Sequence, residues 1–480
     1  MLSGGRVRVV ALGVADAFCV CVCWAFVVCG YKLFGHCLRL AGVANPIGGY
    51  DPQTYLSLWP VPLVFCALNA LLETYHGNAL YPSAPLSPVE EMRRLFGSSL
   101  LTHTGVIACL GFAYQTLDGY SRVVVAVSGL LVAVGAQSFR NWTRRILAAR
   151  GWGQISVVLA GSGETARHVA QTLEDDAYSG FRLVGCFAED GKGLSDLGVP
   201  SLGTLHDIVP EARRRDVKIL LACQDARLFR AQMKEFSSWF TYVDFIPTVR
   251  AFPVFGARAV CFDGIGGLEM VNQRRMRAQR VQKWLLDRAL SVVALAFALP
   301  LSVLIAAAIK LTSRGPVFYR QERLGLGGKP FRVWKFRSMA ADADARLREL
   351  AAADPSLEAE WRTNFKLARD PRVTAIGRFL RRTSLDELPQ LINVFRGEMA
   401  LVGPRPIVTA EVPRYGEAYD TFASVRPGIT GLWQVSGRSD TDYARRVALD
   451  TYYVLNWSPW MDVWILLRTV YAVLFMRGAR

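Results

Sequence analysis

Long apolar runs dominate the hydrophobic pattern of the first part of the chain. They cover residues 7–34, 54–73, 98–117 and 121–139. Because about 20 consecutive apolar residues form a helix long enough to cross a bilayer, the pattern predicts four transmembrane helices. No small-residue cleavage site follows the first run, so we expect a retained helix rather than a signal peptide. Residues 1–145 are therefore predicted to form a four-helix transmembrane region that serves anchoring or dimerisation.

Arginines flank these runs and predict their orientation. If the N-terminus is cytosolic, the positive-inside rule places all the flanking arginines on the cytosolic side. They are Arg6, Arg8, Arg93, Arg94, Arg140, Arg144 and Arg145. In the connection after the second run, Ser87 is predicted to cap a short interfacial helix that begins at Pro88.

The next region changes to short strand-like runs separated by helical ones. Strands are predicted at 155–160, 181–187, 217–222 and 242–246, which indicates a doubly wound α/β domain over residues 146–270. A glycine-rich G-x-G-x-x-A turn at 161–166 follows the first strand, as in Rossmann domains. The acidic residue expected about 20 positions later is displaced to Glu189 or Asp190. A bound dinucleotide and a turn kept for structural or regulatory use both remain open.

A further apolar run of 21 uncharged residues extends from Ala289 to Ile309, with basic residues before and after it. Equal positive charge at both ends favours the same membrane face for both, and Pro300 lies at the midpoint, where it permits a kink. We therefore predict a re-entrant helix over 284–312, broken at Pro300. A helix that crosses the bilayer is the alternative, and it would place the rest of the chain outside the cell. The predicted fold class is a membrane protein of α plus α/β type, with a domain over 280–480 that the re-entrant helix anchors; the motifs described below predict that this domain is catalytic.

Composition supports a membrane protein with phosphorylated or anionic partners. The 480 residues are 52% hydrophobic, with a mean hydropathy of +0.22, and 56 basic against 40 acidic residues give a net charge of +16. Anionic lipid headgroups or phosphorylated substrates are the expected partners of this surplus. No nucleic-acid-binding module is recognisable, so nucleic acid is not expected as a partner.

The placement of cysteine and histidine restricts the chemistry of the last third. Five of the ten cysteines lie in or beside the first apolar run, and the chain has no C-x-x-C pair, so neither a disulfide framework nor a zinc site is predicted. The last cysteine is Cys261 and the last histidine is His206. Chemistry after these positions must rely on carboxylates, lysine, arginine or hydroxyl groups.

The main candidate for that chemistry is the pair Asp386-Glu387, which follows Arg381 and Arg382. The pair is predicted to lie in the first turn of an amphipathic helix with an apolar side at Leu388, Leu391, Ile392 and Phe395, where free N–H groups favour a phosphate. The structural alternative is a capping box formed by Ser384 and Glu387.

Three further arginines stand beside glycine and proline and predict a diphosphate ligand. Guanidinium groups match phosphate oxygens in pairs, and fixed turns hold them in place. These arginines are Arg405 in Gly403-Pro404-Arg405-Pro406, Arg426 before Pro427-Gly428, and Arg438 after Gly437. A carboxylate beside a diphosphate can act as a nucleophile or bind Mg²⁺, and arginines neutralise the accumulating charge.

Several long motifs in this region, taken in order, resemble one family. They are 335–339 (KFRSM), 370–374 (DPRVT), 383–391 (TSLDELPQL), 401–406 (LVGPRP) and 427–438 (PGITGLWQVSGR). Together they resemble the bacterial polyprenyl-phosphate hexose-1-phosphate transferases, the monotopic phosphoglycosyl transferases. The resemblance is close over residues 280–480 and looser before them, where the chain is similar to the large members of the family.

The resemblance implies a reaction and a set of roles. UDP-hexose and undecaprenyl phosphate would give undecaprenyl-diphospho-hexose and UMP, with Asp386 as the nucleophile that holds a covalent phospho-sugar and Glu387 as its helper. Galactose is the favoured hexose and glucose the alternative. Both carboxylates are predicted to hold Mg²⁺, and the predicted substrate-binding residues are Arg337, Arg381, Arg382, Arg405, Arg426, Gln434 and Arg438.

The implied setting is the bacterial inner membrane. The protein would be a multi-pass homodimer in contact with membrane lipids, with its catalytic and α/β domains on the cytoplasmic face, and it would start O-antigen, capsule or exopolysaccharide repeat units. Two other hypotheses remain. A nucleotide-sugar oxidoreductase, dehydratase or epimerase would usually need a Tyr-x-x-x-Lys pair, which the sequence lacks. A non-catalytic scaffold would not need the intact dyad.

Overall fold

A computed structural model of the protein describes most of the chain. The described residues are 3–40, 52–72, 74–75, 87–114, 120–175, 180–189, 194, 197–246, 257–262, 265–270, 277–313, 315–339, 372–436 and 442–474. They form two compact units, Met1–Phe252 and Pro253–Arg480, which are described separately.

The first unit begins with helices that match the long apolar runs. They are α1 (Ser3–Leu40), a 3-10 turn (Pro52–Leu58), α2 (Val61–Leu71), α3 (Pro88–Tyr114) and α4 (Arg122–Ala149). Three segments here, Gly5–Leu38, Gln53–Leu71 and Arg122–Ala149, are long and apolar enough to cross a membrane, as is Arg280–Thr312 in the second unit. The protein is therefore a membrane protein with a mixed α and α/β fold.

One local prediction in this region was wrong. The predicted short interfacial helix at Pro88 is the first turn of the 27-residue helix α3, which contains no further proline to end it. Ser87 does accept a hydrogen bond from the N–H of Glu90 (3.2 Å). The second apolar run is interrupted at Trp59-Pro60, between the 3-10 turn and α2.

Two of the arginines expected at the cytosolic surface lie inside the helical region. Arg140 is fully buried, and its guanidinium donates to Asp16 Oδ1 (2.8 Å) and to Glu91 Oε1 (3.0 Å). Arg144 donates to Glu91 Oε2 (2.9 Å). Carboxylates of α1 and α3 thus hold these two arginines within the protein, and the membrane side on which they lie stays a prediction. We call Asp16, Glu91, Arg140 and Arg144 the buried charge cluster.

The rest of the first unit is the predicted doubly wound domain. Its elements are β1 (Ile155–Ala160), α5 (Glu164–Asp175), β2 (Phe181–Phe187), β3 (Ser201–Gly203), α6 (Ile208–Arg214), β4 (Ile219–Ala222), α7 (Ala226–Phe236) and β5 (Tyr242–Phe245). The strands are parallel in the order β3-β2-β1-β4-β5. Runs of Ile, Val and Leu form buried strands because helices cover both faces of such a sheet.

The glycine-rich turn after β1 is packed closely between its neighbours. Gly161 has a φ of 129° and donates its N–H to the carbonyl of Phe187 (2.8 Å). A Cβ at this position would collide with the carbonyl oxygen of Cys223. The first glycine of the motif is therefore required by packing against β2 and β4, whether or not a ligand binds.

The second unit starts with the hairpin β6 (Ala257–Phe262) and β7 (Ile265–Met270). The sequence prediction had placed these residues in the α/β domain. The long helix α8 (Arg277–Thr312) follows, and it is continuous with Pro300 inside it. The predicted break is therefore not a gap in the helix, and a kink at Pro300 stays a prediction.

The remaining elements of the second unit are short. They are β8 (Phe318–Leu324), β9 (Pro330–Phe336), α9 (Ala375–Thr383), α10 (Gln390–Arg396), β10 (Ala400–Val402), α11 (Val412–Tyr415), α12 (Tyr419–Ala423), β11 (Gly428–Thr430), α13 (Leu432–Val435), α14 (Tyr443–Asn456) and α15 (Pro459–Leu474). The last third of α8 packs on β9 and α9 through the cluster Ile305, Ile309, Phe336 and Leu380. The helix predicted at 341–363 lies outside the described residues.

Candidate active site

The dyad Asp386-Glu387 lies in a tight turn between two helices. Helix α9 ends at Thr383, Ser384 adopts a left-handed conformation (φ 58°), and Leu385–Glu387 form a single 3-10 turn. Helix α10 begins only at Gln390. The predicted position in the first turn of an amphipathic helix was therefore wrong.

The alternative capping role is also wrong. Ser384 makes no side-chain capping bond, because its left-handed backbone closes the end of α9 instead. The carboxylate of Glu387 faces two cations rather than the backbone of residue 384. Side-chain charge, not a helix N-terminus, therefore defines the electrostatics of this site.

Glu387 is held by Lys335 and Arg405. Its Oε1 lies 2.9 Å from Nζ of Lys335 and 3.3 Å from a terminal nitrogen of Arg405. Burial raises the pKa of Glu387, but the charges of Arg405 and Lys335 and hydrogen bonds from Lys335 and Gln390 outweigh it and lower the pKa to about 2. Glu387 is therefore an anion at any physiological pH.

Asp386 has the opposite electrostatic environment. Its side chain is partly buried, and its pKa is raised by burial and by the negative charge of Glu387. Lys335, Arg381 and Arg405 act against that shift. Two adjacent carboxyl groups with pKa values displaced in opposite directions are typical of groups with divided roles.

Strand β9 and helix α10 place Lys335 beside the dyad. The side chain of Asn393, on α10, accepts the N–H of Trp334 (3.0 Å) and donates to the carbonyl of Arg332 (2.8 Å). Asn393 is fully buried. Helix α10 begins three residues after Glu387. The two hydrogen bonds from Asn393 to β9 therefore fix the position of Lys335 relative to Glu387.

Two glycine-containing motifs position Arg405. Strands β10 and β11 pair in parallel, and Gly403 N–H donates to Thr430 O (2.9 Å), while Gly428 N–H donates to Pro404 O (2.8 Å). A Cβ on Gly403 would lie 2.8 Å from the carbonyl oxygen of Arg426. Glycine at 403 lets the two loops approach closely enough to carry Arg405 to Glu387.

The other predicted substrate-binding residues have different surroundings. Arg381 Nε donates to Ser338 Oγ (2.9 Å), and Arg382 is exposed. Arg337 is buried and donates to the carbonyl of Ser313 (3.0 Å), at the end of α8.

Two more of these residues lie near the β10–β11 pair, and one cannot be placed. Arg426 is partly exposed, and the Nε2 of Gln434 donates to Ile429 O (3.3 Å). Arg438 lies outside the described residues. The structure thus places Arg405 in contact with Glu387 and Arg381 near enough to lower the pKa of Asp386. Arg337 instead bonds to Ser313 at the end of α8.

Sequence reasoning missed Lys335 as a member of the site. Lys335 lies in the KFRSM motif, but the sequence prediction named Arg337, two residues later, as the substrate-binding residue of that motif. A signal was present, since Lys335 is on strand β9 beside buried Phe336, at the alternate position before Arg337, which follows the strand. Among the described residues no cluster of three or more His, Cys, Asp and Glu side chains could hold a metal. The dyad itself offers two carboxylate groups.

Replacing Arg405 by glutamine is expected to raise the pKa values of both Glu387 and Asp386, because its charge lowers both. The acid limb of the pH profile of kcat/KM should move to higher pH, and kcat/KM at neutral pH should fall by roughly 10²-fold. A pH series of product-release rates checks this. Arg378→Gln, at an exposed position of α9, is the matched control, and an unmoved acid limb in Arg405→Gln contradicts the electrostatic assignment.

Comparison with known proteins agrees with this geometry. Residues 278–476 match the family described as bacterial sugar transferase, and residues 84–232 match a CoA-binding domain. The undecaprenyl-phosphate galactose phosphotransferase of Salmonella typhimurium is 35% identical over 395 residues, 81% of this chain and 82% of that protein. The UDP-galactose-lipid carrier transferase of Erwinia amylovora is 36% identical over 372 residues, 75% and 76% of the two chains. The UDP-glucose:undecaprenyl-phosphate glucose-1-phosphate transferase of Escherichia coli is 32% identical over 353 residues, 71% and 70%.

The fold, the carboxylate dyad with its cations and these relatives define a membrane-associated sugar-phosphate transferase. The chain belongs to the bacterial sugar transferase family, as its motifs predicted.

Proposed function

We propose that the protein transfers hexose-1-phosphate from a UDP-hexose to undecaprenyl phosphate, giving undecaprenyl-diphospho-hexose and UMP. The observation that carries this proposal is the partly buried Asp386 beside a Glu387 that two cations hold ionised. Relatives that cover most of the chain are named for this reaction with galactose or glucose.

In the proposed first step, a carboxylate oxygen of Asp386 attacks the sugar-linked phosphorus of UDP-hexose. The bond from that phosphorus to the bridging oxygen breaks, UMP leaves with the bond electrons, and an aspartyl-phospho-hexose forms. A raised pKa makes the ionised carboxylate more basic than an ordinary aspartate. Arg405 and Lys335 supply positive charge where the diphosphate and the dyad would otherwise repel each other.

In the proposed second step, an oxygen of undecaprenyl phosphate attacks the same phosphorus. The acyl phosphate bond breaks, and the carboxylate of Asp386 is restored. Glu387 does not need to exchange a proton in either step, because its pKa of about 2 keeps it ionised. Its proposed work is to hold Lys335 and Arg405 in place and to help bind the metal.

Mg²⁺ is the proposed cofactor, and the residues present fit it in part. Mg²⁺ accepts one or two protein carboxylates together with substrate phosphates and water, and Asp386 and Glu387 provide two carboxylates. One oxygen of Glu387 already faces Lys335 and Arg405, and Gln390 also donates to this carboxylate, so that a metal would share Glu387 with three protein groups. When bound, Mg²⁺ would neutralise part of the diphosphate charge.

Galactose is the proposed hexose and glucose the alternative. The Salmonella relative named for galactose covers 81% of this chain, and the E. coli relative named for glucose covers 71%. The test is release of UMP in membranes across a panel of UDP-sugars. UDP-galactose should give the highest kcat/KM, and no release with any UDP-sugar would remove the proposed function.

The proposed location is the cytoplasmic face of the bacterial inner membrane, with several N-terminal spans, a re-entrant α8 and a homodimeric assembly. Contacts at both ends of α8 support the re-entrant path. Near its start, Lys283 donates to Val402 O (3.0 Å), and near its end, Ile309 is buried beside Phe336. Between them, Phe297 is 82% exposed. One folded unit holds both ends, while the middle presents an apolar surface to lipid.

A re-entrant α8 predicts that single cysteines placed just before Ala289 and just after Ile309 react with an impermeant thiol reagent from the same side of inverted and right-side-out vesicles. The measurement uses full-length protein in which exposed native cysteines are replaced. A cysteine in the loop between α1 and α2 serves as the opposite-face marker. Labelling of the two sites from opposite sides would require a spanning α8.

A further inference from the structure

The first turns of α8 are bound to the catalytic unit by a compact set of charged groups. The Nζ of Lys283 lies 2.8 Å from Oδ2 of Asp462, 3.3 Å from Oδ1 of Asp287 and 3.0 Å from the carbonyl oxygen of Val402. Asp462 comes from the first turn of α15. All three side chains are at least four-fifths buried, so their charges are weakly screened. We call Lys283, Asp287 and Asp462 the interfacial clamp.

Neighbouring donors complete the hydrogen bonds of the two carboxylates. Oδ1 of Asp287 accepts the N–H of Leu401 (3.2 Å). Trp457 Nε1 donates to Oδ2 of Asp462 (3.1 Å). The hydroxyl of Tyr453 lies 2.7 Å from Oδ1 of Asp462 and 2.9 Å from Val402 O, so its single proton can serve either acceptor. Helices α8, α14 and α15 thus converge on the last two residues of β10.

Strand β10 leads directly to the arginine at the dyad. Val402 is followed by Gly403 and Pro404, whose backbone groups bond to Thr430 and Gly428 (2.9 and 2.8 Å), and then by Arg405, which contacts Glu387. The path from Lys283 to Glu387 therefore runs through one strand end and one hydrogen-bonded turn. Movement of β10 would be passed to Arg405.

We propose that the interfacial clamp positions Arg405 for the transfer reaction, so that the seating of the membrane helix α8 sets the geometry of the dyad. Lys283, Asp287 and Asp462 are positioning residues in this role, since their contacts are with α8, α15 and β10 rather than with the dyad. The inference rests on the proposed function for its catalytic part only. The coupling of Lys283 to the 401–405 loop is a property of the fold and can be measured without turnover.

The physical reason is the charge balance of the clamp. Without Lys283, two buried carboxylates would share one pocket with the carbonyl of Val402 and no cation among the residues described above. Like charges and an unpaired buried carboxylate are both unfavourable. We expect Asp287 and Asp462 to move apart and to release the end of β10.

The first test is hydrogen exchange of the full-length protein in nanodiscs. Lys283→Met should speed exchange of amides in the 401–405 segment at least tenfold, whereas Lys310→Met should leave it unchanged. Lys310 is an exposed cation near the other end of the same helix, so the control removes an equal charge. Lys283→Arg should restore much of the protection. Unchanged exchange at 401–405 in Lys283→Met would overturn the proposal.

The second test is a double-mutant cycle on the rate of UMP release. Lys283→Met should lower kcat by about 100-fold, the size typical of a small misplacement of a reacting group. If Lys283 acts through Arg405, the double variant Lys283→Met/Arg405→Gln should be no slower than Arg405→Gln alone. Losses that multiply would refute action through Arg405. The acid limb of the Lys283→Met pH profile should also move in the direction seen for Arg405→Gln, which general loss of fold would not produce.

A milder variant tests the proposal even if Lys283→Met does not fold. Tyr453→Phe removes one hydroxyl at the same place and should raise exchange at 401–405 by about threefold with little effect elsewhere, the loss of one modest hydrogen bond. If Lys283→Met does not fold, this variant decides between the outcomes. If wild-type protein releases no UMP with any UDP-sugar, the proposed function fails, while the exchange result still decides whether the clamp holds the 401–405 loop.

Discussion

Asp386→Asn is expected to lower the rate of UMP release by roughly 10⁴-fold or more, the order seen when a covalent nucleophile is removed. The amide is almost isosteric with the carboxylate, so the fold and membrane association should be retained. It carries no charge and is a poor nucleophile, and the cations on Glu387 would remain. The measurement is UMP release by purified protein with undecaprenyl phosphate present and absent.

The matched control is Asp420→Asn, an exposed aspartate of the same unit, which should keep wild-type rates. Mass spectrometry of wild-type protein quenched with UDP-sugar alone should find a phospho-hexose on Asp386. An adduct on another residue, or near-normal turnover of Asp386→Asn, would refute the nucleophile assignment.

Arg140→Leu is expected to destabilise the N-terminal helical region by about 3–5 kcal/mol, the usual cost of removing one partner from a buried ion pair. Asp16 would lose two of its charged hydrogen bonds and Glu91 would lose one, at 0–2% side-chain exposure. Asn69 and Tyr75 still donate to Asp16 (3.1 and 2.6 Å), but neither carries a charge. Thermal unfolding in nanodiscs, followed by protease accessibility of this region, measures the loss.

Arg122→Leu provides the comparison, because Arg122 is an exposed residue of the same helix and should change stability by less than about 0.5 kcal/mol. The double variant Asp16→Asn/Arg140→Leu should lose less stability than Asp16→Asn and Arg140→Leu added together, since the residues interact directly. Strict additivity, or wild-type stability of Arg140→Leu, would show that the buried charge cluster does not hold the helices together.

Local patterns predicted the long helices and four of the five strands of the doubly wound sheet. The strands at 155–160 and 181–187 were located to the residue, because buried parallel strands have continuous apolar runs with turn residues beside them. The strand predicted at 217–222 begins at Ile219, since the apolar run started before the backbone became extended. The apolar length of α1 and α8 was equally clear from sequence.

Contacts between distant residues could not be predicted. Lys335 reaches Glu387 across 52 residues, and Arg140 reaches Asp16 across 124. The sequence marked Arg140 as a flanking charge, and its burial against Asp16 became visible only when the helices were packed together. The capping prediction was wrong at Ser384 because the local sequence does not show whether a serine caps the next helix with its side chain or ends the preceding helix in a left-handed conformation. The dyad was found from its motif, and its electrostatics came only from the fold.

The buried charge cluster has a consequence for biosynthesis. Ribosomes add roughly 5–20 residues per second, so Arg140 emerges on the order of 10 s after Asp16, to which it is bonded across 124 residues. During that interval the first helix carries an unmatched carboxylate that is costly in hydrocarbon. We therefore expect α1 to stay in a wet or protein-lined environment until α4 has been made, so that this region enters the membrane as one segment rather than one helix at a time.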